Sequence, residues 1–322
     1  MLTLPGTEWS MNDLRLLTKI ATLYYTNDLT QEEIADRLGL SRQKVGRLLK
    51  QAKREGVVHI SIHSPLLFSA ELEYQLEQRF GLAEALVVEP RADTESAIKE
   101  AIGEAAAGFL PRRIVNGDII GISWSSVLLE CALRLERTER KKITVVQMNG
   151  SLDRSSYSTR AEYIIHRISQ AFGGEAQSLV APMLVDRPEI KDSLLTDSRI
   201  AATLDLASRT TVALFGVGNV SEQSSLYKAG YVDDAMLAHL LAAGAVGDIC
   251  GRFFDAAGVP CAPDIAERTL AVDLDVLRLT RLSVAVAGTL AKIDAILATL
   301  AGRYCNVLIT DVATAQTLLE KT

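Results

Sequence analysis

The chain has 322 residues, enough for about two domains, and a formal net charge of −6. This acidic balance excludes a protein that coats nucleic acid along its whole length, so the distribution of charge matters more than its sum. Residues 1–64 contain nine Lys/Arg and seven Asp/Glu, whereas the remainder contains 25 and 33. Only the N-terminal part is therefore suited to bind DNA.

The cysteines and the hydropathy pattern also limit the class of protein. The four cysteines, Cys131, Cys250, Cys261 and Cys305, are scattered without the spacing of a zinc site or a disulfide framework. The sequence shows no signal-peptide pattern and no run of about eighteen apolar residues. We therefore expect a cytoplasmic protein with reduced thiols, no metal site and no cofactor.

The first elements in chain order form the pattern of a helix-turn-helix. Apolar residues recur at helical spacing over residues 11–26, which predicts a supporting first helix. Thr30 with Glu33 three residues later is the pattern of a capping box at the start of a second helix. Gly39 is placed to end that helix with positive φ, and Ser41 to cap a third helix.

The third predicted helix has the composition of a DNA-recognition helix. Six basic residues and no acidic residue lie between Ser41 and Arg54, while Val45 and Leu49 fall on the opposite, inward face. The residues expected to contact bases and phosphates are Ser41, Arg42, Gln43, Lys44 and Arg47. The alternative is a solvated basic helix in an ordinary helical hairpin.

The segment after this helix predicts a short strand and then a domain boundary. Residues 57–64 alternate apolar and polar side chains, as the wing of a winged helix would, with His59 and His63 pointing outward. Pro65 marks the boundary, and residues 66–81 predict an amphipathic helix. This helix is either a dimer contact or a helix docked on the second domain. The predicted organisation is a DNA-binding domain over residues 1–64, a linker helix over 65–81 and a ligand-binding domain over 82–322.

Residues 82–322 predict an α/β domain with a mostly parallel sheet, because short apolar runs alternate with segments of helical periodicity. The predicted strands are residues 85–90, 118–123, 143–148, 176–181, 210–216, 269–274, 282–288 and 305–311. In such sheets a ligand binds beyond the carboxyl ends of the strands. Four strand ends are therefore candidate ligand sites.

The candidate strand ends combine hydroxyl groups, amides, glycines and a lysine. Ser123, Trp124, Ser125 and Ser126 follow the second predicted strand and open a helix, an arrangement that can hold a phosphate. Gln147 and Asn149 end the third strand. Gly216 and Gly218 form a turn after the fifth, and Gly288 precedes Lys292 at a helix start. Each pattern alone is also compatible with an ordinary turn.

No catalytic constellation appears in the sequence. Asp248, Arg252 and Asp255 cluster in one segment, but an Asp/Arg pair is more often structural than catalytic. The sequence contains no pattern of a Ser/His/Asp set, a metal-binding trio or a dinucleotide-binding fingerprint.

The order of several segments resembles the SorC/DeoR-type sugar-binding transcriptional regulators of bacteria. The resemblance covers nearly the whole chain and rests on these segments: LTQEEIADRLGLSRQKVGRLLKQAKREGVVHISI, GISWSS, VVQMNGS, ALFGVGNVSEQSSLYKAGYV, GAVGDICGRFFDAAG, VAVAGTLAKIDAIL and NVLITDVATAQTLL. It implies an effector domain of the sugar-phosphate isomerase type that binds a phosphorylated sugar or similar carbohydrate and controls an operator-bound oligomer. It also implies effector contacts from GISWSS, from Asn149 and Gly150 beside it, and from Asp248, Arg252 and the turn 288–292.

The sequence departs from the family pattern at four places. Ser125-Ser126 stands where Gly-Thr is usual, Gly288-Thr289 replaces Gly-Gly, and residues 310–312 read Thr-Asp-Val instead of Thr-Asp-Glu. Some relatives have a lysine at the position of Asn149 that forms a Schiff base with an aldehyde sugar. Asparagine has no nucleophilic amine, so we expect noncovalent binding here and leave open an effector other than the familiar sugar phosphates.

Three functional hypotheses follow. The leading one is a transcriptional regulator, dimeric or tetrameric, whose affinity for operator DNA depends on a carbohydrate effector. The alternative is a sugar-phosphate isomerase or lyase carrying a DNA-binding module, which the fold would permit. A constitutive architectural DNA-binding protein is disfavoured by the large acidic domain.

Overall fold

The structure is a computed structural model that describes residues 11–60, 67–138, 140–151 and 160–321. The chain divides into two compact units, Met1–Pro65 and Leu66–Thr322. Within the described residues, no helix has the length and apolar character needed to cross a membrane.

The first unit contains the three predicted helices. They are α1 (Met11–Tyr25), α2 (Gln31–Leu38) and α3 (Arg42–Arg54). Ile20 of α1, Ile34 of α2 and Val45 of α3 are fully buried against one another. One apolar face from each helix therefore forms the core of this unit.

The helix ends of the first unit follow the predicted capping. The Thr30 side chain accepts the N–H of Glu33 at 3.3 Å, and the Glu33 carboxylate accepts the N–H of Thr30 at 2.8 Å, which completes the capping box. Gly39 has a φ of 64°, and the Ser41 hydroxyl accepts the N–H of Lys44 at 3.2 Å. The predicted turn between α2 and α3 is thus confirmed.

The predicted strand after α3 is wrong for its described part. Residues 57–60 form no strand, because Val58 donates its N–H to the carbonyl of Ala52 at 3.0 Å and the chain folds back on α3. Val57 and Val58 pack against the core instead of alternating across a sheet. The other predicted strand residues, 61–64, lie outside the described residues.

The second unit contains twelve helices and ten strands among the described residues. The helices are α4 (Leu67–Phe80), α5 (Glu95–Arg113), α6 (Ser126–Arg134), α7 (Ala161–Ala171), α8 (Pro188–Leu195), α9 (Ser198–Ser208), α10 (Ser225–Lys228), α11 (Asp234–Ala242), α12 (Pro263–Ala266), α13 (Leu274–Leu279), α14 (Ile293–Ala301) and α15 (Val312–Glu320). The strands are β1 (Glu84–Val88), β2 (Ile119–Ile122), β3 (Thr144–Gln147), β4 (Glu175–Gln177), β5 (Val212–Phe215), β6 (Gly218–Asn219), β7 (Gly247–Ile249), β8 (Arg252–Phe254), β9 (Leu282–Val286) and β10 (Val307–Asp311).

Seven strands form one sheet in the order β1-β10-β9-β5-β2-β3-β4, with parallel pairing throughout the described residues. Successive residues of its strands enter different cores: Val284 and Val286 of β9 join one cluster, and Ala285 joins the other. Helices therefore cover both faces, as expected for an all-parallel sheet. The predicted mostly parallel α/β fold is confirmed.

Three parts of the second unit differ from the prediction. Strand β4 ends at Gln177, so residues 178–181 of the predicted strand 176–181 form no strand. Residues 269–274 form no strand, because Leu270 and Val272 donate their N–H groups to Met183 and Met148 in separate bridges rather than in a ladder. Strands β6, β7 and β8 form a small antiparallel sheet that the pattern did not predict.

Helix α4 packs on the edge strand β1 and on α15. Leu72 and Leu76 are buried there, and two glutamates of α4 accept N–H groups of β1: Glu77 from Ala85 at 3.0 Å and Glu73 from Val87 at 2.9 Å. Burial raises the pKa of Glu73. These contacts agree with the alternative of a helix docked on the second domain, and a dimer contact stays a prediction.

Candidate functional site

The candidate DNA-binding surface is the outward face of α3. The five predicted contact residues Ser41, Arg42, Gln43, Lys44 and Arg47 are all exposed. The opposite face of α3, with Val45 and Leu49, is buried in the core. The arrangement leaves three cationic side chains and two hydrogen-bonding ones free of the core, as contacts with phosphates and base edges require.

The candidate ligand site lies at the carboxyl ends of β2, β3, β5 and β9. Because the strands are parallel, the residues that follow them meet at one edge of the sheet. They enclose a cavity of about 70 Å³, which we call the inner cavity. Ten of the twelve predicted effector-binding residues line it: Ser123, Trp124, Ser125, Ser126, Asn149, Gly216, Gly218, Asp248, Gly288 and Lys292.

Gly150 does not line the inner cavity. Its carbonyl accepts the indole N–H of Trp124 at 3.0 Å, which orients the Trp124 ring. An added Cβ at Gly150 would lie 2.5 Å from the carbonyl oxygen of Ala181, so glycine is needed here for close packing. The predicted effector contact at Gly150 is therefore corrected to a packing role.

Arg252 also points away from the inner cavity. Its guanidinium donates to the carbonyl oxygens of Ala266, Ala271 and Val272 at 2.8–3.3 Å and pairs with Asp273 at 3.1 Å. Burial lowers the pKa of Arg252. The side chain holds the irregular segment 266–273 in place, which corrects the prediction of an effector contact.

The first strand end combines a helix N-terminus with two serine hydroxyls. The Ser123 hydroxyl accepts the N–H of Gly216 at 3.3 Å, and the Ser125 hydroxyl accepts the N–H of Leu128 at 3.2 Å as the N-cap of α6. The N–H groups of Ser126 and Val127 in the first turn of α6 have no partner within the helix, as at every helix start. Both residues line the inner cavity, so they can receive an anion.

Asp248 lies on the small antiparallel sheet. The turn Cys250-Gly251 between β7 and β8 has φ values of 57° and 75°, and Asp248 Oδ2 accepts the N–H of Gly251 at 3.0 Å. Burial raises the pKa of Asp248 to about 6, although the Gly251 bond and Lys292 oppose the shift. An added Cβ at Gly218 would lie only 1.9 Å from Asp248 Oδ1, so Gly218 makes room for the carboxylate.

Two lysines supply positive charge, and the sequence pattern identified only one of them. Lys99 of α5 lies 2.5 Å from Glu95, and Lys292 lies in a 3-10 turn before α14. Burial lowers the pKa of Lys292, and Lys99 lowers it further, whereas Asp248 and Glu95 raise it. Lys99 could have been predicted, since α5 starts beyond the carboxyl end of β1 and its first turns lie at the same edge of the sheet.

Both lysines also line an adjoining cavity of about 300 Å³, the outer cavity. The two cavities share Lys99, Ser126, Gly218, Ser225 and Lys292. The outer cavity further contains the carboxylates of Asp93, Glu95 and Asp311. The shared residues therefore mark the junction between the cavities.

Thr289, which lines the outer cavity, has a backbone conformation that usually requires glycine. Its φ of 85° and ψ of 141° lie in the positive-φ region. Asp311 Oδ2 accepts the Thr289 N–H at 3.0 Å and holds this conformation, and an added Cβ at Gly288 would lie 2.3 Å from the same oxygen. This explains why glycine stands at 288, whereas Thr289 retains a strain that glycine would avoid.

Other residues of the inner cavity carried no sequence signal. Met183, Ser225 and Cys250 reach it from an irregular segment, a four-residue helix and a hairpin turn. In the described part of the chain, no group of three or more His, Cys, Asp and Glu side chains could hold a metal ion.

Comparison with known families matches both units. Residues 64–320 match the family described as "Putative sugar-binding domain", and residues 15–65 match the Crp-like helix-turn-helix domain. The chain is 35% identical to the deoxyribonucleoside regulator of Bacillus subtilis over 95% of this chain and 97% of that protein. It is 32% identical to the sorbitol operon regulator of Klebsiella pneumoniae over 96% and 99%.

The fold is also similar to that of a solved structure. The full-length sorbitol operon regulator SorC from Klebsiella pneumoniae superposes with a TM-score of 0.74 at 31% sequence identity, covering 96% of this chain and 100% of SorC. The similarity thus extends over both the helix-turn-helix and the α/β unit.

Proposed function

Because this chain belongs to the SorC/DeoR-type family of bacterial sugar-binding transcriptional regulators, we propose that a phosphorylated sugar or polyol bound in the inner cavity controls its affinity for operator DNA. The chain is a regulator with a DNA-binding helix-turn-helix and a sugar-binding domain.

The proposed phosphate site rests on three positive features that meet at the junction between the two cavities. Lys99 and Lys292 both line it, and the first turn of α6 presents the N–H groups of Ser126 and Val127. A helix N-terminus and two ammonium groups together favour a compact anion. The remaining hydroxyl and amide groups of the inner cavity suit the hydroxyls of a sugar.

On the DNA side, Arg42, Lys44 and Arg47 contact phosphates and base edges, with Ser41 and Gln43 beside them. Their exposure on α3 supports this assignment. An operator with two half-sites would need two recognition helices, so the working form is a homo-oligomer in the cytoplasm. Residues 65–81 are a candidate contact between its subunits.

The domain acts by binding its sugar and not by converting it. The two relatives described above are named as regulators, which supports binding without turnover. A sugar-phosphate isomerase or lyase carrying a DNA-binding module is the less favoured reading. Turnover of a phosphosugar would be its signature.

Fluorescence anisotropy can test the proposal. Labelled DNA from upstream of the gene that encodes this protein is titrated with the protein, in the presence of phosphorylated or free sugars and polyols. We expect at least one phosphorylated compound to change DNA affinity by about tenfold. Gly218→Ala should abolish this response, because the added Cβ would displace the Asp248 carboxylate.

Gly108→Ala is the matched control, since an added Cβ in that exposed helical position meets no atom within 4 Å. It should keep the full response. A response only to unphosphorylated compounds, or a response that survives in Gly218→Ala, would contradict the proposed effector class or the proposed site, respectively.

A further inference from the structure

A groove in the first unit runs along α3 beyond the part proposed above to contact DNA. Its volume is about 440 Å³, and it reaches from the first turn of α3 to the last. One wall is α3 itself, and the other comes from the end of α1 and the start of α2. The described lining residues are Tyr24, Tyr25, Gln31, Gln43, Gly46, Arg47, Leu49, Lys50 and Lys53. We call it the cationic groove, because three of these residues carry a positive charge and none carries a negative one.

A second groove shares the two tyrosines but differs in charge. Its volume is about 690 Å³, and its charged lining residues are Asp28, Glu32 and Arg42. Two carboxylates outnumber one guanidinium there, so this groove disfavours a polyanion, whereas the cationic groove attracts one. The tyrosine pair at the end of α1 therefore separates two surfaces of different sign.

The tyrosine pair also positions a lysine at the far end of the cationic groove. Lys53 Nζ lies 5.7 Å from the centre of the Tyr25 ring, within the range of a cation–π interaction. The Tyr25 ring packs edge-to-face on Tyr24 with the ring centroids 4.9 Å apart, and Tyr24 packs against the core around Ile20 and Ile34. The ammonium group of Lys53 is thus linked to the core of the unit, although Lys53 itself is exposed.

The two lysines of the cationic groove are available to bind an anion. Lys50 and Lys53 are exposed, and no carboxylate of the described residues forms a salt bridge with either of them. Glu55, the acidic residue that follows them in the sequence, pairs with Arg54 at 3.1 Å. An ammonium group without a carboxylate partner exchanges only water and counterions for a phosphate.

The length of the groove fits a nucleic-acid strand better than a single small anion. From residue 43 to residue 53 an α-helix rises about 15 Å. Successive phosphates of one DNA strand advance about 3.4 Å along the duplex, so more than one phosphate can contact a groove of this length.

We infer that the sugar-phosphate backbone of one operator strand lies in the cationic groove, where Lys50, Lys53 and the Tyr25 hydroxyl bind its phosphates. The inference rests on the proposed function, because it assumes that α3 binds the operator. It extends the interface beyond the five residues assigned above, which all lie at the start or in the first half of α3, to the last turn of α3 and to α1. Phosphate contacts fix the position of a protein on DNA without reading its sequence.

Fluorescence anisotropy with the full chain over a range of salt concentrations tests this contact. The probes are the upstream DNA described above and a scrambled duplex of the same length and composition. Lys50→Ala/Lys53→Ala should lower the slope of log affinity against log salt by about two, because two phosphate contacts are lost. The ratio of the affinities for the two probes should stay within about twofold, since both probes lose the same contacts.

Arg15→Ala/Lys19→Ala is the matched control. It removes the same charge from exposed positions of α1 in the same unit, and neither residue lines either groove. It should keep the slope of the unmodified protein. Thermal unfolding of both double variants should be unchanged, because all four side chains are exposed.

Duplexes that each carry one neutral methylphosphonate identify the contacted phosphate directly. At the phosphate that Lys53 binds, the neutral group should weaken binding of the unmodified protein by about threefold or more. It should weaken Lys53→Ala no further, because the charge pair is already absent. At phosphates outside the groove, the unmodified protein and Lys53→Ala should lose the same affinity.

An unchanged slope in Lys50→Ala/Lys53→Ala, or an equal loss of slope in Arg15→Ala/Lys19→Ala, would overturn the inference and leave the proposed function standing. A methylphosphonate scan in which every position weakens Lys53→Ala as much as the unmodified protein would overturn it as well. Equal affinity of the unmodified protein for the upstream and scrambled duplexes would overturn the proposed function and this inference with it.

Discussion

The recognition surface of the first unit and the inner cavity of the second draw their residues from very different lengths of chain. Residues 30–54 contain the capping box, the turn and the whole recognition helix. The inner cavity, in contrast, combines Lys99 with residues as distant as Lys292. The first surface is a product of local rules, whereas the second exists only when the sheet is assembled.

This difference implies different responses to mutation. A side chain on α3 can be removed without touching a core, so its loss should appear in DNA binding alone. Asp248 of the inner cavity, in contrast, is packed, charged and buried at once, so its loss should change stability and binding together.

The double variant Arg42→Ala/Arg47→Ala should weaken operator binding by about a hundredfold or more, because each arginine contributes about 1–3 kcal/mol to a base or phosphate contact. The slope of log affinity against log salt should also fall by about two. Thermal unfolding and effector binding should not change, since both side chains are exposed.

The control for this variant is Arg199→Ala/Arg209→Ala, which removes the same charge from the two ends of α9 in the second unit. It should bind DNA like the unmodified protein. An equal loss in both double variants would mean that net charge, and not the α3 surface, sets the affinity.

Asp248→Asn should make the second unit more stable at pH 8 than the unmodified protein, by up to about 3 kcal/mol. The folded pKa of Asp248 is raised to about 6, above the value of 3.8 for an unburied aspartate. The stability linked to this group is therefore complete below pH 4 and is lost as the pH rises through 6. Denaturant unfolding at pH 4, 6 and 8 measures the effect.

Asp186→Asn, which changes an exposed carboxylate, is the control and should give the same small difference at each pH. If Asp248→Asn likewise showed no dependence on pH, the burial of Asp248 would not carry the electrostatic cost assigned to it. The contrast between a packed cavity and an open recognition surface would then weaken.

Thr30→Ala should destabilise the first unit by about 1 kcal/mol, because alanine lacks the hydroxyl that accepts the N–H of Glu33 and donates to the Glu33 carboxylate. Thr30→Ser keeps the hydroxyl and should retain most of the stability. Urea unfolding followed by helical circular dichroism can measure both variants. Loss of stability in the second unit instead would show that the first unit is not governed by its local sequence alone.

The sequence predicted the helix-turn-helix nearly residue by residue because its signals act within a few residues. Thr30 bonds to Glu33, and Gly39 adopts positive φ directly at the end of α2. The parallel sheet was predicted for a related reason, since buried strands need continuous apolar runs. The rule that ligands bind at the carboxyl edge of a parallel sheet then predicted where the inner cavity lies.

Two of the differences in the second unit arise where backbone or side-chain partners are distant in sequence. Residues 269–274 have the apolar pattern of a strand, but their N–H groups meet Met148 and Met183 separately. Arg252 lies close to Asp248 in sequence, yet its guanidinium turns to three carbonyls of another segment. The sequence around Arg252 does not indicate which backbone carbonyl groups an irregular segment will leave unpaired. The role of Arg252 in binding those carbonyls therefore cannot be predicted from residue spacing.

Glu73 and Glu77 of α4 also protect the edge strand β1. A strand at the border of a sheet exposes N–H groups to which another chain can add. On β1 the N–H groups of Ala85 and Val87 are already occupied by Glu77 and Glu73. These two N–H groups of β1 are therefore not available to pair with a strand of another chain, which protects the edge of the sheet against aggregation. Self-association at this edge would have to use the outer surface of α4.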